Sequence, residues 1–544
     1  MSGGIHFFLA LLLAAPPSNF EKVATLGLQA IRGEALSAHV RFLADDLLEG
    51  RGTGTRGHAI AASYVATQLQ ALGYQPAGDH NTYFQSVPLV AMQVTPERSA
   101  FEVDGTPFKY AEQVLFAPRA GSQQDDVAGE LVFAGYGISA PQYQYEDAPK
   151  DLQGTIPVVL FGAPRTNRAD FFPAAASAVY SDTAEKTKLL ASRGAVGMVL
   201  VYTPEIDAHL PWSFSVRQAV FDRMAWREGD RPGSGYALPV AIMPTTALAT
   251  LLRKSGKSAD GIFAAAPKGG LQALPLGSRG HLRVAAEVRP LTSENVVAVL
   301  KGRERSSEYV VLTAHLDHLG IGPPINGDAI YNGAADDASG VAGVLEVARA
   351  FALLPKRPPR SILIVVVTAE EKGLQGSDYF ARHPTVPIHS IVADVNLDGP
   401  GGFWEPHDLV PLGAEHSTLD SAVQAAARIQ HLTISPDPEP EQVYFIRSDQ
   451  YSFVKQGIPS VFPNVGFQDA AGHTEKNRAF DDWWTQNRYH QPSDEWDPKL
   501  DYENMAKEVR TDFLIALAVA MDPERPRWNR GDIFEKLFGF NGAR

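Results

Sequence analysis

The sequence predicts a doubly wound α/β domain, in which a mixed, mainly parallel sheet has helices on both faces. Two continuous apolar runs, at 309–314 and 362–367, and a third predicted strand at 391–397 alternate with segments of helical periodicity at 339–354 and 374–382. Uninterrupted Val, Ile and Leu indicate strands that are buried on both faces, and regular alternation with helices indicates a parallel sheet. Ligands bind beyond the carboxyl ends of such strands, so the polar residues that follow each run are the candidate functional residues.

The length of 544 residues predicts more than one folding unit, since a single hydrophobic core usually stops growing at ~250 to 300 residues. Between 119 and 276 the chain has its own strand pattern, which predicts a separate β-rich domain inserted into the first. The predicted division is a signal peptide at 1–17, the N-terminal part of the main domain at 18–118, the insert at 119–276, the rest of the main domain at 277–523 and a tail at 524–544.

The first residues contain an apolar run from Phe7 to Ala15, followed by Pro16. A helix needs ~20 residues to cross a bilayer, and this shorter run is typical of a signal peptide. We therefore expect export to the periplasm or beyond the cell. No later apolar run is long enough for a helix to cross a bilayer, so we expect no membrane span.

The composition excludes several classes of partner and of chemistry. The formal net charge is −14 and there is no Lys/Arg run, whereas nucleic acids and anionic membranes require a basic surface. The chain has no cysteine, which excludes disulfides and thiolate ligands. A metal site must therefore consist of imidazoles and carboxylates, which suit zinc and related ions. The sequence does not predict an oligomeric state.

Polar clusters follow the apolar runs, at the edge where a parallel sheet binds its ligands. A further candidate, His490, comes after a fourth apolar run at 458–462. The clusters are His315-Leu316-Asp317, Asp336-Asp337, Glu370-Glu371 and Asp398.

Each candidate imidazole has an acid close to it in sequence. In an extended segment the side chains of His315 and Asp317 point the same way, so we expect Asp317 to hydrogen-bond the ring and to turn its other nitrogen toward a metal. Asp494 is expected to do the same for His490. His318 is a less favoured substitute for His315, because its backbone position would place it past the edge of the sheet.

The paired acids exceed what a helix end or a strand end requires. Asp336 and Asp337 open a helix, where one carboxylate would serve as a cap; two adjacent carboxylates repel each other, which favours a metal ligand that bridges two cations. Glu370 and Glu371 end a buried strand, where their charges need a cation. One glutamate would bind metal and the other would act as general base. We assign metal binding to Glu371 and the base to Glu370, although spacing alone does not decide between them.

The five predicted ligands supply two imidazoles and three carboxylates. If Asp336 is shared by two cations, each cation receives one imidazole, one terminal carboxylate and the bridging carboxylate of Asp336. Two such ions, ~3.5 to 4 Å apart, activate water and polarise a carbonyl group, and Tyr489 is placed to donate to a developing oxyanion. The predicted reaction is hydrolysis of an amide, and the ligands are His315, Asp336, Glu371, Asp398 and His490.

The motifs HLD, DDASG, AEEKGLQGS, NLD and YHQPSDE, in this order, resemble those of the M28 metallopeptidases, a family of aminopeptidases with two zinc ions. The N-terminal EGRGTGTRGH and the insert with GAVGMVLVY are similar to secreted bacterial members that carry an inserted protease-associated (PA) domain. The resemblance implies a zinc-dependent aminopeptidase that acts on peptides with a free N-terminus and binds two Zn²⁺ per chain.

The resemblance also implies a role for each residue. His315, Asp336 and Asp398 would hold one zinc, and Asp336, Glu371 and His490 the other. Glu370 would be the general base, Asp317 would be a catalytic residue that fixes the His315 ring, and Tyr489 would steady the oxyanion. The peptide between Asp336 and Asp337 would be cis, Asp337 and Asp494 would lie behind the ligands, and the turn Arg447-Ser448-Asp449 would line the pocket for the substrate's amine.

Two stretches depart from the family pattern. Gly399-Pro400-Gly401-Gly402 follows Asp398 where many members have bulkier residues, which leaves the shape of the pocket open. The segment 468–488, with Trp483 and Trp484, forms either a wall over the cleft or part of the core.

Other functions remain as alternatives. A glutamate-type carboxypeptidase or a dipeptidase would use the same metals, and the former needs arginines such as Arg447 to clamp a carboxylate. A glutaminyl cyclase shares the fold but uses one zinc, which the full ligand set and the insert disfavour. A receptor-like module would lack ligands, and none is missing here.

Overall fold

A computed structural model describes residues 19–165 and 171–539 of the chain. The predicted signal peptide, 1–17, lies outside the described residues, and export stays a prediction. Within the described part of the chain, no helix combines the length and the apolar character that crossing a bilayer requires.

The main domain is built on a mixed sheet whose centre is parallel, which confirms the predicted fold class. Its four central strands occur in the spatial order Arg360–Val367, Arg305–His315, Ile391–Asn396 and Ser460–Val465, each parallel to the next. Antiparallel strands flank this centre on both sides. On one side Leu274–Leu300 pairs with Arg360–Val367, and Phe84–Val94 pairs with Leu274–Leu300. On the other side Asp408–Leu412 pairs with Ser460–Val465 and also with the short strand Thr433–Ile434.

Both faces of this sheet are buried, as the uninterrupted apolar strands predict. Along one strand, Val310 and Leu312 pack into the core beneath one layer of helices, whereas Val311 packs into a separate core on the opposite face. Alternate residues of a strand point to opposite faces, so both sets must be apolar. The first layer contains Asn19–Ala30, Gly33–Leu43, Arg56–Ala71, Ser339–Leu353, Asp420–Gln430 and Tyr502–Met521, and the second contains Gln375–Arg382 and Gln450–Val454.

A second sheet lies between the two passages of the chain through the first. The chain leaves the first sheet at Val94 and returns at Ala286, and these two residues are strand partners. An excursion that begins and ends at neighbouring positions is what an insertion into an existing domain produces. The predicted insert, 119–276, falls within this excursion, and its assignment as a PA domain stays a prediction.

The second sheet has its own core and also takes in strands from outside the predicted limits of the insert. Strand Leu274–Leu300 is shared by the two sheets, because its first half pairs with Gln124–Phe133 and Ala100–Val103. The remaining strands follow as Ile156–Leu160, Met198–Val201, Val240–Met243 and Leu115–Ala117. The helices of this region are Ala174–Ser181, Thr183–Ser192, Pro204–His209, Trp212–Gln218, Ala247–Leu251 and Ala259–Ala265.

Two further helices lie in the segment 468–488 and in the predicted C-terminal tail, 524–544. The segment 468–488 contains the helix Glu475–Asn487, and the tail contains Ile533–Phe538. The strand Arg223–Glu228 lies within the predicted insert but pairs with Phe84–Val94 of the first sheet, and the helix Trp212–Gln218 precedes it in the chain.

Candidate metal centre

The five predicted ligands meet at the carboxyl edge of the central strands. His315 is the last residue of its strand, and Asp398 follows the end of Ile391–Asn396 by two residues. Glu371 follows Arg360–Val367, and Asp336 lies in the turn that opens the helix Ser339–Leu353. His490 arrives from the other side, three residues after the helix Glu475–Asn487.

Asp336 lies between the two imidazoles. Its Oδ1 is 3.1 Å from His315 Nε2, and its Oδ2 is 3.1 Å from His490 Nε2. The two oxygens of one carboxylate therefore face two different nitrogen donors, which is the arrangement that a bridging ligand needs.

The other carboxylates complete two groups around this bridge. Glu371 Oε2 is 3.1 Å from His490 Nε2, and Asp398 Oδ1 is 3.7 Å from His315 Nε2. Glu370 also approaches the first group, with Oε2 at 3.9 Å from His315 Nε2. The arrangement corresponds to the predicted division into one group with His315 and Asp398 and another with His490 and Glu371.

Two further residues lie within metal-binding distance of these groups. Asp337 clusters with His315 and Asp398, and His318 clusters with Asp336 and Glu371. The carboxylate of Asp337 already accepts three backbone N–H bonds, from His315, Gly340 and Gly399. Its oxygens are therefore engaged in fixing the backbone, which fits a place behind the ligands better than a place among them.

His318 lies elsewhere than the sequence predicts. Its side chain is fully buried inside the cluster rather than past the edge of the sheet, and its Nδ1 is 2.6 Å from Glu371 Oε1. The strand ends at His315, and the chain then turns back so that the backbone N–H of His318 reaches the carbonyl of Arg51. His318 is thus a further nitrogen donor beside the second group.

The acids predicted to orient the imidazoles have other partners. His315 Nδ1 lies 3.0 Å from the backbone carbonyl of Asp317, so the carbonyl rather than the carboxylate holds the ring with Nε2 toward the cluster. The Asp317 carboxylate accepts from Thr53 Oγ1 at 2.8 Å and from the backbone N–H of Glu370 at 3.0 Å. Asp317 therefore positions the candidate base instead of the ligand.

Asp494 departs from its predicted role in the same way. Its carboxylate accepts from the backbone N–H groups of Ala335 and Asp336, and His490 Nδ1 has no hydrogen-bond partner among the described residues. Asp494 thus holds the backbone of the bridging aspartate. The peptide between Asp336 and Asp337 is cis, as the family resemblance implies.

Sequence reasoning missed Arg51, a fully buried residue beneath the site. Its guanidinium donates to the backbone carbonyls of Leu316, Asn332 and Gly333, beside His315 and just before the turn of Asp336, and to that of Leu43. Arg51 thereby ties the N-terminal segment to both ligand-bearing loops. An arginine between glycines in EGRGTG is the only signal that the sequence offers for it.

A chain of hydrogen bonds fixes the Asp398 side chain. Asn396 donates its side-chain amide to Ser448 Oγ, and Ser448 Oγ donates to Asp398 Oδ2 at 2.5 Å. The other carboxylate oxygen, Oδ1, is the one that faces His315. The turn Arg447-Ser448-Asp449 therefore supports a ligand as well as lining the cavity, which the sequence did not predict.

The electrostatics of the cluster favour cations. Burial lowers the pKa of His490, but the carboxylates of Glu371 and Asp336 raise it to about 9. Burial raises the pKa of Glu370 well above its ordinary value, and neighbouring carboxylates add to this effect although His315 opposes it. A buried group of carboxylates that outnumbers its imidazoles is stabilised by added positive charge.

The donor set therefore fits two divalent cations. It consists of nitrogen and oxygen donors without thiolates, one carboxylate has an oxygen toward each imidazole, and the acids exceed the bases. Imidazole and carboxylate ligands of this kind suit zinc and neighbouring first-row ions.

The cluster opens into a cavity of about 260 Å³. Tyr489 and Trp484 line it beside His490, and the ring of Tyr489 stacks on that of His490 at 3.9 Å between centroids. Phe214, from the helix of the insert region, lies beside both rings, with its centroid 5.9 Å from that of Tyr489 and 5.8 Å from that of His490. Of the two tryptophans of 468–488, Trp484 thus forms part of a wall, whereas Trp483 is largely exposed.

Arg447 also lines the cavity, as predicted for a substrate-binding residue. It stacks on Tyr444 at 5.5 Å, and its Nη1 donates to the backbone and the side chain of Gln442. Among the described lining residues, it is the one lysine or arginine, whereas Asp437, Glu439, Asp481 and Glu508 contribute acids apart from the metal cluster.

Comparison with known proteins defines the class of the domain that carries this site. Residues 295–512, which contain every predicted ligand, match the model of peptidase family M28. The segment that holds the site therefore belongs to that family, in agreement with the resemblance of its motifs.

Individual relatives match parts of the chain. A probable zinc metalloprotease of Leptosphaeria maculans is 29% identical over 216 residues, which cover 35% of this chain and 48% of the relative. A probable glutamate carboxypeptidase of Arabidopsis thaliana is 30% identical over 226 residues, which cover 38% of this chain and 29% of the relative. The chain thus spans less than half of the length of these curated relatives.

One solved structure is similar over almost the whole chain. It is an aminopeptidase from Aneurinibacillus sp. strain AM-1, which is 21% identical and superposes with a TM-score of 0.53 over 93% of this chain and 100% of its own. At this identity the likeness shows the fold alone.

Proposed function

We propose that this protein is a metallo-aminopeptidase that removes the N-terminal residue from peptides with the help of two zinc ions. His315, Asp336 and Asp398 would hold one ion, and Asp336, Glu371 and His490 the other. The observation that carries the proposal is a small cavity whose lining includes four of the five donors and several further acids. The fifth donor, Glu371, lies 3.1 Å from His490 Nε2, and Phe214 of the insert region packs on Tyr489 at the cavity wall.

The size of the cavity favours the end of a peptide over its middle. At about 260 Å³, it lies just below the ~300 Å³ at which ordinary ligand pockets begin. Phe214 packs on the rings of Tyr489 and His490, and Trp484 packs on Tyr489. A site enclosed in this way accepts a chain terminus more readily than a continuous backbone.

The chain's own residues supply the proton transfers and the orientation. When bound, the cations lower the pKa of water and polarise a carbonyl group. Glu370 lines the cavity and is anchored through its backbone N–H to Asp317; it takes a proton from water and returns it to the departing amine. Tyr489 lines the cavity beside His490, where its hydroxyl donates to the oxyanion that forms on the carbonyl oxygen.

A carboxypeptidase is the second candidate function. It is favoured by Arg447 on the cavity wall and by the similarity to a probable glutamate carboxypeptidase. A substrate carboxylate would pair with a guanidinium, whereas the acids that share the wall with Arg447 would repel it. The same acids attract a free ammonium group, so the charge of the cavity favours the aminopeptidase.

The test compares substrates that differ at one terminus. We expect hydrolysis of leucyl-p-nitroanilide and of leucyl peptides, no hydrolysis of N-acetylated forms, and unchanged hydrolysis when the C-terminus is amidated. Activity should disappear after treatment with a chelator and return with zinc. Hydrolysis that requires a free C-terminus and tolerates N-acetylation would replace this proposal with the carboxypeptidase.

A further inference from the structure

The cavity contains a carboxylate that has no part in the metal cluster. Glu508, on the helix Tyr502–Met521, lines the same cavity as His315, Asp336 and Glu370. Its Oε1 accepts a hydrogen bond from the backbone N–H of Gly402 at 3.0 Å. The Glu508 side chain is partly exposed, and besides this cavity it lines a smaller pocket that it shares with Asp512.

Glu508 has no counter-charge within ion-pair distance in the described part of the chain. A second acid, Asp512, lies one turn further along the helix and is almost fully buried. Burial raises the pKa of Glu508 to about 8, and it raises the pKa of Asp512 well above its ordinary value. Two acids without a cation are costly in such a place, and a cation from outside would relieve that cost.

The walls beside Glu508 are apolar and aromatic. The side chains that share the cavity with it include Val410, Phe462, Val465, Phe467 and Trp404. Such walls can bury the hydrocarbon stem of a side chain, and the carboxylate of Glu508 can bind a cationic group at its end. Lysine and arginine are the side chains that combine an apolar stem with a cationic group.

The loop after Asp398 contacts the helix that carries Glu508. Gly402 has a φ of +62°, and a Cβ there would lie 2.9 Å from the backbone of Met505, so the loop packs directly on the helix that carries Glu508. Gly401, Gly402 and Glu508 all line the cavity. The small residues that depart from the family pattern therefore lie beside the acid at the wall of the cavity.

We propose that Glu508 is a specificity-determining residue that selects substrates with lysine or arginine at the N-terminus, by binding the cationic head of that side chain. This inference rests on the proposed aminopeptidase function and adds the class of substrate. In the complex, the aliphatic stem packs on Phe462, Val465 and Phe467, and the ammonium or guanidinium pairs with Glu508.

The test uses lysyl- and norleucyl-p-nitroanilide, because the two side chains share an unbranched hydrocarbon stem but only lysine carries the ammonium. The zinc-loaded protein is expected to favour the lysyl substrate by ~10-fold or more in kcat/KM, since a site built for a polar group strongly rejects the analogue that lacks it. In Glu508→Gln the ratio is expected to fall to about one, with norleucyl hydrolysis retained as proof of a folded site. Glu508→Met is expected to favour norleucine.

The matched control is Glu405→Gln, which removes one negative charge from an exposed side chain outside the cavity. It should keep the lysyl preference. The role of Glu508 would be overturned if the native protein cleaved norleucyl and leucyl substrates as well as lysyl ones, or if the lysyl-to-norleucyl ratio of kcat/KM were unchanged in Glu508→Gln. Either result would still support the aminopeptidase function. Failure to cleave any aminoacyl substrate would overturn both.

Discussion

Glu370→Gln is expected to lower kcat by about 10²- to 10⁴-fold, which is the usual contribution of general acid–base catalysis. The substitution keeps the size of the side chain and removes its ability to accept a proton. Because Glu370 N–H, not its carboxylate, is the group held by Asp317, the loop should keep its position. The purified variant should therefore contain as much zinc as the native protein when measured by elemental analysis.

The matched variant is Glu371→Gln, at the adjacent position. Glu371 contacts both His490 and His318 and belongs to the second group of donors, so this variant should lose metal together with activity. If Glu370→Gln loses zinc and Glu371→Gln keeps it, the roles of the two glutamates are exchanged.

Asp336→Asn is expected to lose both zinc ions and all measurable activity. Asp336 is the residue with one oxygen toward each imidazole, and an amide offers one weak oxygen donor in place of two anionic ones. The measurement is the zinc content after dialysis, together with hydrolysis of leucyl-p-nitroanilide.

The control for this variant is Asp230→Asn, an exposed acid in a turn far from the cluster in sequence, which should keep the native zinc content and activity. Retention of two zinc ions per chain by Asp336→Asn would show that Asp336 does not bridge, and would favour a set in which His318 and Asp337 take part.

The sequence predicted the elements that position the site well, because their signals are local. The strands Arg305–His315 and Arg360–Val367 contain long apolar runs, and their polar site residues come directly after these runs in the sequence. The helix Ser339–Leu353 ends within one residue of its predicted limit. The convergence of His315, Asp336, Glu371 and Asp398 follows from the rule that parallel strands end at a common edge.

The sequence did not predict what each acid hydrogen-bonds, because that depends on backbone directions in loops. Asp317 and His315 are two residues apart, but the chain turns after the strand, so a carbonyl reaches the ring and the carboxylate reaches Glu370. Asp494 is near His490 in sequence and instead binds a turn more than 150 residues away. Arg51 and Phe214 act on the site only through tertiary contacts, which no local pattern encodes.

The central claim is that donors from five separate segments hold a pair of metal ions, with Asp336 between them. Crystals of the zinc-loaded protein, measured on both sides of the zinc absorption edge, test it most directly. We expect two anomalous peaks ~3.5 to 4 Å apart, one beside His315 and Asp398, the other beside His490 and Glu371, and both in contact with Asp336. A single peak, or a pair that Asp336 does not touch, would contradict it.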